Sequence, residues 1–491
     1  MSNNNKKFLA GQVSWAAGNQ IVQTLLAFAS LAILSRLLTP SAYGLYSLGL
    51  IYVGFIEIVV GSHMLDFIVQ HRALTRAHIN SATACVAAFG IVNLILGNWF
   101  SASISVLAND PQLREIIPIM TLIAFIGGLS NIPAVLLTKN LQFDRIAQVD
   151  LVCAVVSIAA GVLLAHLEYG FYTLPLMELV RRTLRLILGA LVAKWRPGFR
   201  FGLSDIVEFW NFSRLRIVSI SFVYVTSSSP RYFVGLLLGA ESLGMFVVAN
   251  RLVEQLVGVM VYPFAAVAFP AAAKIKDETQ LARFLKQTLL AVSGLLWPTT
   301  LGFAAVAPSL VPLVFGEKWQ VVSHLSQILI FLAFKATISA LAMPIFLIAN
   351  RPELQAKLDF VDAITTVGFI FLGAKFGLLP AVIAMLVRSI LMIPLIILLL
   401  KGVTKLSFRS QIWELVYGAA PASLMFVVVC LVHEKVTAHN LVAVDLLAMI
   451  ASGIVAQMIF WLLFNPSMAA SIWTFVYNKA QSPGREAKQL D

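Results

Sequence analysis

The side chains of this chain that could do chemistry are charges set inside long apolar stretches. Arg231, Arg251, Lys335 and Arg388 each interrupt an apolar run, and Arg181, Arg182 and Arg185 cluster within another. A charge at the centre of a bilayer costs about 2.5–3.5 kcal/mol on insertion scales, so such groups face a wet cavity or a partner. An arginine fork fits phosphate and carboxylate oxygens with two parallel hydrogen bonds, which makes anion binding the chemistry on offer. Helical spacing supplies a competing reading. Glu178 lies three and four residues before Arg181 and Arg182, and Glu254 lies three after Arg251, so each set shares a helical face and can neutralise itself. Arg214 and Arg216 sit near the inner end of their run, where they can snorkel to the surface. Four acids, Glu57, Asp150, Asp359 and Asp362, are candidates for coupling to a proton or sodium gradient, because such an ion needs a carboxylate within the membrane field. Helix-end capping or pairing with Lys357 is the plainer reading of Asp359. No phosphate-binding glycine loop is present, so ATP hydrolysis is not expected. Cys85, Cys153 and Cys430 lie within apolar runs and form neither a metal-ligand spacing nor an expected disulfide. The expectation is therefore a protein that is not an enzyme, without catalytic residues, metal or cofactor.

The elements that must hold these charges follow from composition. Of 491 residues, 59% are apolar and only 12% are charged, roughly half the charged share of a soluble domain. A membrane helix needs about 20 apolar residues, which leaves room for about fourteen spans and little else. They are read at 11–38, 43–68, 79–107, 115–138, 147–167, 170–193, 212–238, 243–273, 284–307, 321–348, 354–376, 378–400, 411–433 and 441–464. Backbone groups in lipid must be satisfied internally, so these are helices, and the alternation of a membrane β-barrel is absent.

A net charge of +12 would point to nucleic acid in a soluble protein, but here most basic residues fall between the apolar runs. They read as orientation signals facing an anionic leaflet, with membrane lipid and no nucleic acid as the partner. With a cytoplasmic N-terminus, about 21 lysines and arginines lie inside and about five outside. That asymmetry predicts an even number of spans and both termini in the cytoplasm. The basic start, Met1–Lys7, precedes too long an apolar run for a cleaved leader, so the first span is read as uncleaved. In the tail, Ile472, Trp473, Phe475, Val476 and Tyr477 ahead of basic residues read as an interfacial segment or a polar terminus.

An internal echo organises the spans. Leu37-Leu38-Thr39-Pro40-Ser41-Ala42-Tyr43-Gly44-Leu45-Tyr46 is matched about 200 residues later by Leu237-Leu238-Gly239-Ala240-Glu241-Ser242-Leu243-Gly244-Met245-Phe246. Pro133-Ala134-Val135-Leu136-Leu137 is echoed by Pro344-Ile345-Phe346-Leu347-Ile348, each ahead of a polar turn and a span carrying Asp150 or Asp359. The expected fold is an all-α polytopic membrane protein: a six-helix bundle over 1–200, a second over 201–405, two additional helices over 406–465 and a cytoplasmic tail over 466–491. Six spans between copies make the repeats parallel, an arrangement suited to alternating access.

Several of these strings carry a resemblance. Leu37-Leu38-Thr39-Pro40-x-x-Tyr43-Gly44-x-Tyr46 and Leu243-Gly244-x-Phe246-x-x-Ala249-x-Arg251-Leu252 resemble the turns of Wzx-type O-antigen and exopolysaccharide flippases, members of the multidrug/oligosaccharidyl-lipid/polysaccharide exporter superfamily. Val69-Gln70-His71-Arg72 with Leu74-Thr75, Leu137 to Phe143, and Pro308 to Trp319 are similar to the same family, and the likeness runs from about Gly11 to Leu400. One departure stands out: the seventh span reads Ser229-Pro230-Arg231-Tyr232 where these exporters commonly carry an acid. The resemblance implies movement of an undecaprenyl-diphosphate-linked oligosaccharide to the periplasmic leaflet of a bacterial inner membrane. It also implies a polysaccharide polymerase and a chain-length regulator as partners. On that basis Arg231, Arg251, Lys335, Arg388, Arg181 and Arg182 are expected to line a cationic cavity for the headgroup. A multidrug or cation antiporter and a peptidoglycan-precursor flippase are the rivals on such a fold.

Overall fold

The computed structural model describes residues 3–60, 68–69, 74–198, 202–273, 275, 277–436 and 442–464. The side chains of Glu57, Arg214 and Arg216 lie outside the described set, as do residues 70–72 of one family-like string and the tail segment 472–477. Among the described residues every regular element is helical. The first six α-helices are α1 (Asn3–Leu37), α2 (Pro40–Val60), α3 (Arg76–Leu107), α4 (Leu113–Lys139), α5 (Phe143–His166) and α6 (Thr173–Val192). The long helical stretch Leu203–Ala273 is broken at Gly239, where φ is 82° and ψ 176°, into α7 (203–238) and α8 (240–273). Only glycine takes that backbone conformation without strain. Then follow α9 (Glu278–Phe315), α10 (Gln320–Leu329), α11 (Leu332–Ile348), α12 (Pro352–Ala374), α13 (Leu378–Thr404), α14 (Phe408–Val416), α15 (Ala419–Val436) and α16 (Val442–Phe464).

Among the described residues, nine helices are long and apolar enough to cross a membrane, or ten if Glu317–Leu329 and Leu332–Ile348, bent by 44°, form one broken span. The sequence reading of about fourteen is larger, and charge explains part of the difference. Helix α6 carries Glu178, Arg181, Arg182 and Arg185, and α12 carries Glu353, Lys357, Asp359 and Asp362, so neither is apolar enough to qualify. The passage 223–258 is counted once although the backbone breaks at Gly239.

The chain divides into two compact units, one of Met1–Gln255, Val314–Leu325 and Ala356–Arg388, the other of Leu256–Leu313, Ser326–Gln355 and Ser389–Asp491. In the first, α1 packs on α5, α5 on α6, α6 on α4, and α4 on both α2 and α3. Small residues make the α3–α4 approach possible: Gly90, Asn93, Gly97, Ser101 and Ser105 form a buried stripe at helical spacing. Ile91, Val92, Ile95, Leu96 and Trp99 on the same helix stay exposed, as a lipid-facing surface requires. Helix ends close with left-handed residues. At Leu141 (φ 54°), Gln142 N–H donates to Leu137 O (3.0 Å) and Leu141 N–H to Thr138 O (3.0 Å), the paired bonds that end α4.

In the second unit, α15 and α16 pack together and bury Met425, Val429, Leu446, Met449 and Ala456 with Val306 of α9. Trp297 Nε1 donates to Leu415 O (2.8 Å), and Lys286 pairs with buried Glu414 (3.4 Å).

Candidate functional site

A cavity of about 270 Å³ with a mixed polar and apolar lining opens inside the first unit, walled by α1, α2, α5, α6 and α8. Helix α1 contributes Gln23 and Ser30, α2 contributes Tyr43, Tyr46 and Ser47, and α5 contributes Ser157. The charges come from α6, with Glu178, Arg181 and Arg182, and from α8, with Arg251. Glu178 is buried and serves two cations: Arg182 Nε donates to its Oε1 at 2.6 Å, and Arg181 Nε lies 3.3 Å from its Oε2. These are the i,i+4 and i,i+3 partners that helical spacing predicts.

Arg251 behaves differently. The spacing pairs it with Glu254, but in the structure Glu254 accepts from Asn250 Nδ2 at 2.6 Å and lies 3.9 Å from Arg231. Asn250 is one helical turn back, and Arg231 reaches Glu254 from α7, so the carboxylate is taken from both directions. Among the described residues Arg251 has no carboxylate at ion-pair distance, and it lines the cavity. Among the described residues the wall thus carries three guanidinium groups against one carboxylate, a surplus of two positive charges.

The other named residues sit elsewhere. Arg231 pairs with Glu254 and is not part of the cavity wall. Arg185 pairs with Asp150 (3.1 Å), which also accepts from Asn19 Nδ2 (3.5 Å), beside a void of about 10 Å³ with room for one water at most. Arg388 of α13 donates through Nη1 to Asp362 of α12, and both side chains are largely buried. Asp359 is exposed on α12, and Lys335 is half-buried on α11 in the second unit. Tyr43 and Tyr46 entered the sequence reading only through a motif, and Ser47 did not enter it. Their i,i+3,i+4 spacing on α2 is the signal that they share one face.

Beside the cavity, the two echoed strings cross. A β-carbon at Gly44 would overlap the carbonyl oxygen of Ala240, and one at Gly244 would overlap the carbonyl oxygen of Pro40. The contact is reciprocal at an offset of 200 residues. The turn after α9 locks onto the end of α1 here: Trp319 Nε1 donates to Ser35 O (2.8 Å), and Lys318 Nζ donates to Arg36 O (2.9 Å) and Leu38 O (2.7 Å). Tyr43 stacks edge-on against Trp319, with centroids 5.5 Å apart.

The strings that build this crossing also place the chain among known proteins. A family model described as polysaccharide biosynthesis protein matches residues 33–324. The chain belongs to this family. Its relatives include the lipopolysaccharide biosynthesis protein WzxC of Escherichia coli (strain K12), 23% identical over 84% of each chain. Another is the succinoglycan biosynthesis transport protein ExoT of Rhizobium meliloti (strain 1021), 24% identical over 64% of each. These matches bear out the Wzx-type resemblance read from the motifs. Among solved structures, the lipid II flippase MurJ in an inward closed conformation aligns with a TM-score of 0.70 at 12% identity, over 91% of this chain and 98% of that one. An inward-facing multidrug resistance MATE family transporter gives 0.55 at 16%, over 82% and 94%. At these identities the likeness is one of fold. This polysaccharide biosynthesis family member is a multi-pass membrane protein, and its relatives include a named transport protein.

Proposed function

We propose that the protein flips an undecaprenyl-diphosphate-linked oligosaccharide repeat unit from the cytoplasmic to the periplasmic leaflet of a bacterial inner membrane, for assembly into exopolysaccharide, capsule or O-antigen. The observation that carries this reading is Arg251, without a carboxylate partner among the described residues, in a cavity whose other two arginines share one carboxylate. A diphosphate diester carries two negative charges, equal to the surplus on the wall, and arginine forks fit its oxygens. A cationic drug would meet repulsion at the same place. Arg181, Arg182 and Arg251 form the headgroup clamp in this proposal. Arg231, Lys335 and Arg388 are further cations along the route, and Glu57, Asp150, Asp359 and Asp362 are the candidates for ion coupling.

Movement is by alternating access between two six-helix halves, 1–200 and 201–405, followed by two more helices, 406–465, and a tail, 466–491, with both termini in the cytoplasm. The reciprocal crossing of Gly44 and Gly244 supports the duplication, and the excess of basic residues in the inside turns supports the orientation. A polymerase and a chain-length regulator are the expected downstream partners. The test is transport by the full-length protein in vesicles, with labelled polyprenyl-diphosphate sugar beside a cationic dye. Flipping of the diphosphate without dye uptake is expected. Dye uptake without diphosphate flipping overturns the proposal and favours an antiporter. Transport of a lipid-linked peptidoglycan precursor in preference to other polyprenyl-diphosphate sugars overturns the polysaccharide assignment.

A further inference from the structure

We infer that Arg36 and Lys318 form a reciprocal clasp that keeps the cavity shut at its outer end, and that the clasp parts when the headgroup leaves. The inference rests on the alternating-access reading and names a contact which that movement has to break. Helix α1 ends at Leu37, where the last carbonyls of a helix have no partner within it. The turn after α9 brings donors to this end. Trp319 Nε1 donates to Ser35 O (2.8 Å), and Lys318 Nζ donates to Arg36 O (2.9 Å) and Leu38 O (2.7 Å). Arg36 returns the contact, since its Nε donates to Val314 O (2.9 Å) in the last turn of α9. Each helix thus places a cation at the other's C-terminal end, where the helix dipole favours positive charge.

The charge pattern of the chain makes this placement notable. On the proposed orientation about five lysines and arginines face outward against about 21 inward, and Arg36 and Lys318 are two of the five. Gly316 directs the second of them. Its φ of 97° and ψ of 160° suit glycine, and no atom lies within 4 Å of an added β-carbon, so backbone conformation and not space requires it. The chain turns there, and Lys318 and Trp319 reach α1.

The clasp sits at one end of the cavity. Leu34 and Tyr43 line the cavity; Ser35 follows Leu34 in the chain, and Trp319 meets the Tyr43 ring edge-on. Trp319 is fully buried, whereas Arg36 and Lys318 are exposed. Exposed cations held by carbonyls suit a joint that must open, because water replaces the carbonyls at small net cost. Uncovering the Trp319 ring is the larger cost and biases the joint towards closure. The clasp also joins a residue of the proposed first half, 1–200, to residues of the second, 201–405, so movement of one half against the other strains it.

The test is thiol labelling of the full-length protein in membrane vesicles of both orientations. Cys85, Cys153 and Cys430 are replaced by alanine, and Ser30→Cys on the cavity wall reports to a membrane-impermeant maleimide. From the outer face, Lys318→Met is expected to raise the labelling rate about tenfold and Arg36→Met about fivefold, as the loss of charge-assisted hydrogen bonds implies. Lys318→Arg keeps a donor and the charge and should stay within about threefold of the wild type. From the inner face none of the three should label faster. An unchanged outer rate in both methionine variants overturns the clasp. So does a rise from both faces together, which would mean a loosened bundle and not an opened mouth. No substrate enters the measurement. If the wild type fails to flip a polyprenyl-diphosphate sugar while the methionine variants still open the outer end, the proposed function fails and the clasp stands.

Discussion

Two places in the first unit set arginine against acid inside apolar helices, and they solve the problem in opposite ways. Arg388 of α13 forms an ion pair with Asp362 of α12, with 9% and 15% of the side chains exposed. In the cavity, Arg181 and Arg182 share the carboxylate of Glu178, and Arg251 lines the same wall with no carboxylate at ion-pair distance among the described residues. The residue types are the same, and so is the apolar setting. What differs is the number of counter-charges and the room left for a ligand. A neutralised pair holds two helices together at little net gain, whereas a surplus beside empty space is an unmet demand for an anion. An arginine in an apolar helix is therefore not informative alone; the balance of charge around it is.

The largest effects should come from opening the closed pair. Asp362→Asn takes the carboxylate from largely buried Arg388, and Arg388→Gln takes this guanidinium from Asp362; each should cost about 3–5 kcal/mol, read as a fall in the unfolding midpoint in detergent. Replacing both by apolar residues, as in Asp362→Leu with Arg388→Met, should recover most of the loss. If the single changes leave the midpoint in place and abolish transport, the pair belongs to the headgroup's route or to ion coupling, and the contrast with the cavity dissolves.

A smaller effect tests the frame around the cavity. Gly44→Ala and Gly244→Ala each push a methyl group into a backbone carbonyl that has nowhere to go, and each should destabilise by about 1–3 kcal/mol. Because the crossing is reciprocal, the two losses should be similar. Gly368→Ala on α12, where no atom lies within 4 Å of the added carbon, should be neutral or gain about 0.5–1 kcal/mol. Thermal unfolding of the three variants side by side decides whether the echoed strings matter through their contact or only through their turns.

What could be read in advance was local. Glu178 with Arg181 and Arg182 is an intrahelical set, and the spacing alone pairs them. The echo at 37–46 and 237–246 was visible as text, but that its two copies cross each other is a tertiary fact. Asp362 and Arg388 are 26 residues apart on successive helices, a pairing that no helical period reports. Glu254 was assigned to Arg251 by spacing and went to Asn250 and Arg231 instead, because a second helix beyond the Gly239 break supplied a competing cation. Tyr43 and Ser47 carry no charge, so nothing in composition separated them from ordinary core residues until the cavity put them on one wall. The apolar runs located the helices, yet the count of spans depended on how charged helices such as α6 and α12 are judged.

The smallest expected change in stability is the one that bears most on function. Arg251 lines the cavity, is exposed, and has no carboxylate partner among the described residues, so Arg251→Gln removes no ion pair and strands no buried acid. Substitutions of that kind usually stay within about 0.5 kcal/mol, and the unfolding midpoint should hardly move. Transport should fall all the same. Removing one of three arginines halves the net surplus, from two charges to one, at a wall that must compete with water for a doubly charged headgroup. Loss of one charge-assisted hydrogen bond, about 1.5–3 kcal/mol, corresponds to a drop of roughly ten- to a hundredfold in affinity for a diphosphate probe. Arg251→Lys should recover only part of this, since an ammonium keeps the charge but not the fork. A variant with wild-type stability and wild-type diphosphate affinity would show that the unpaired guanidinium is incidental, and the surplus in the cavity would then have no more functional meaning than the closed pair.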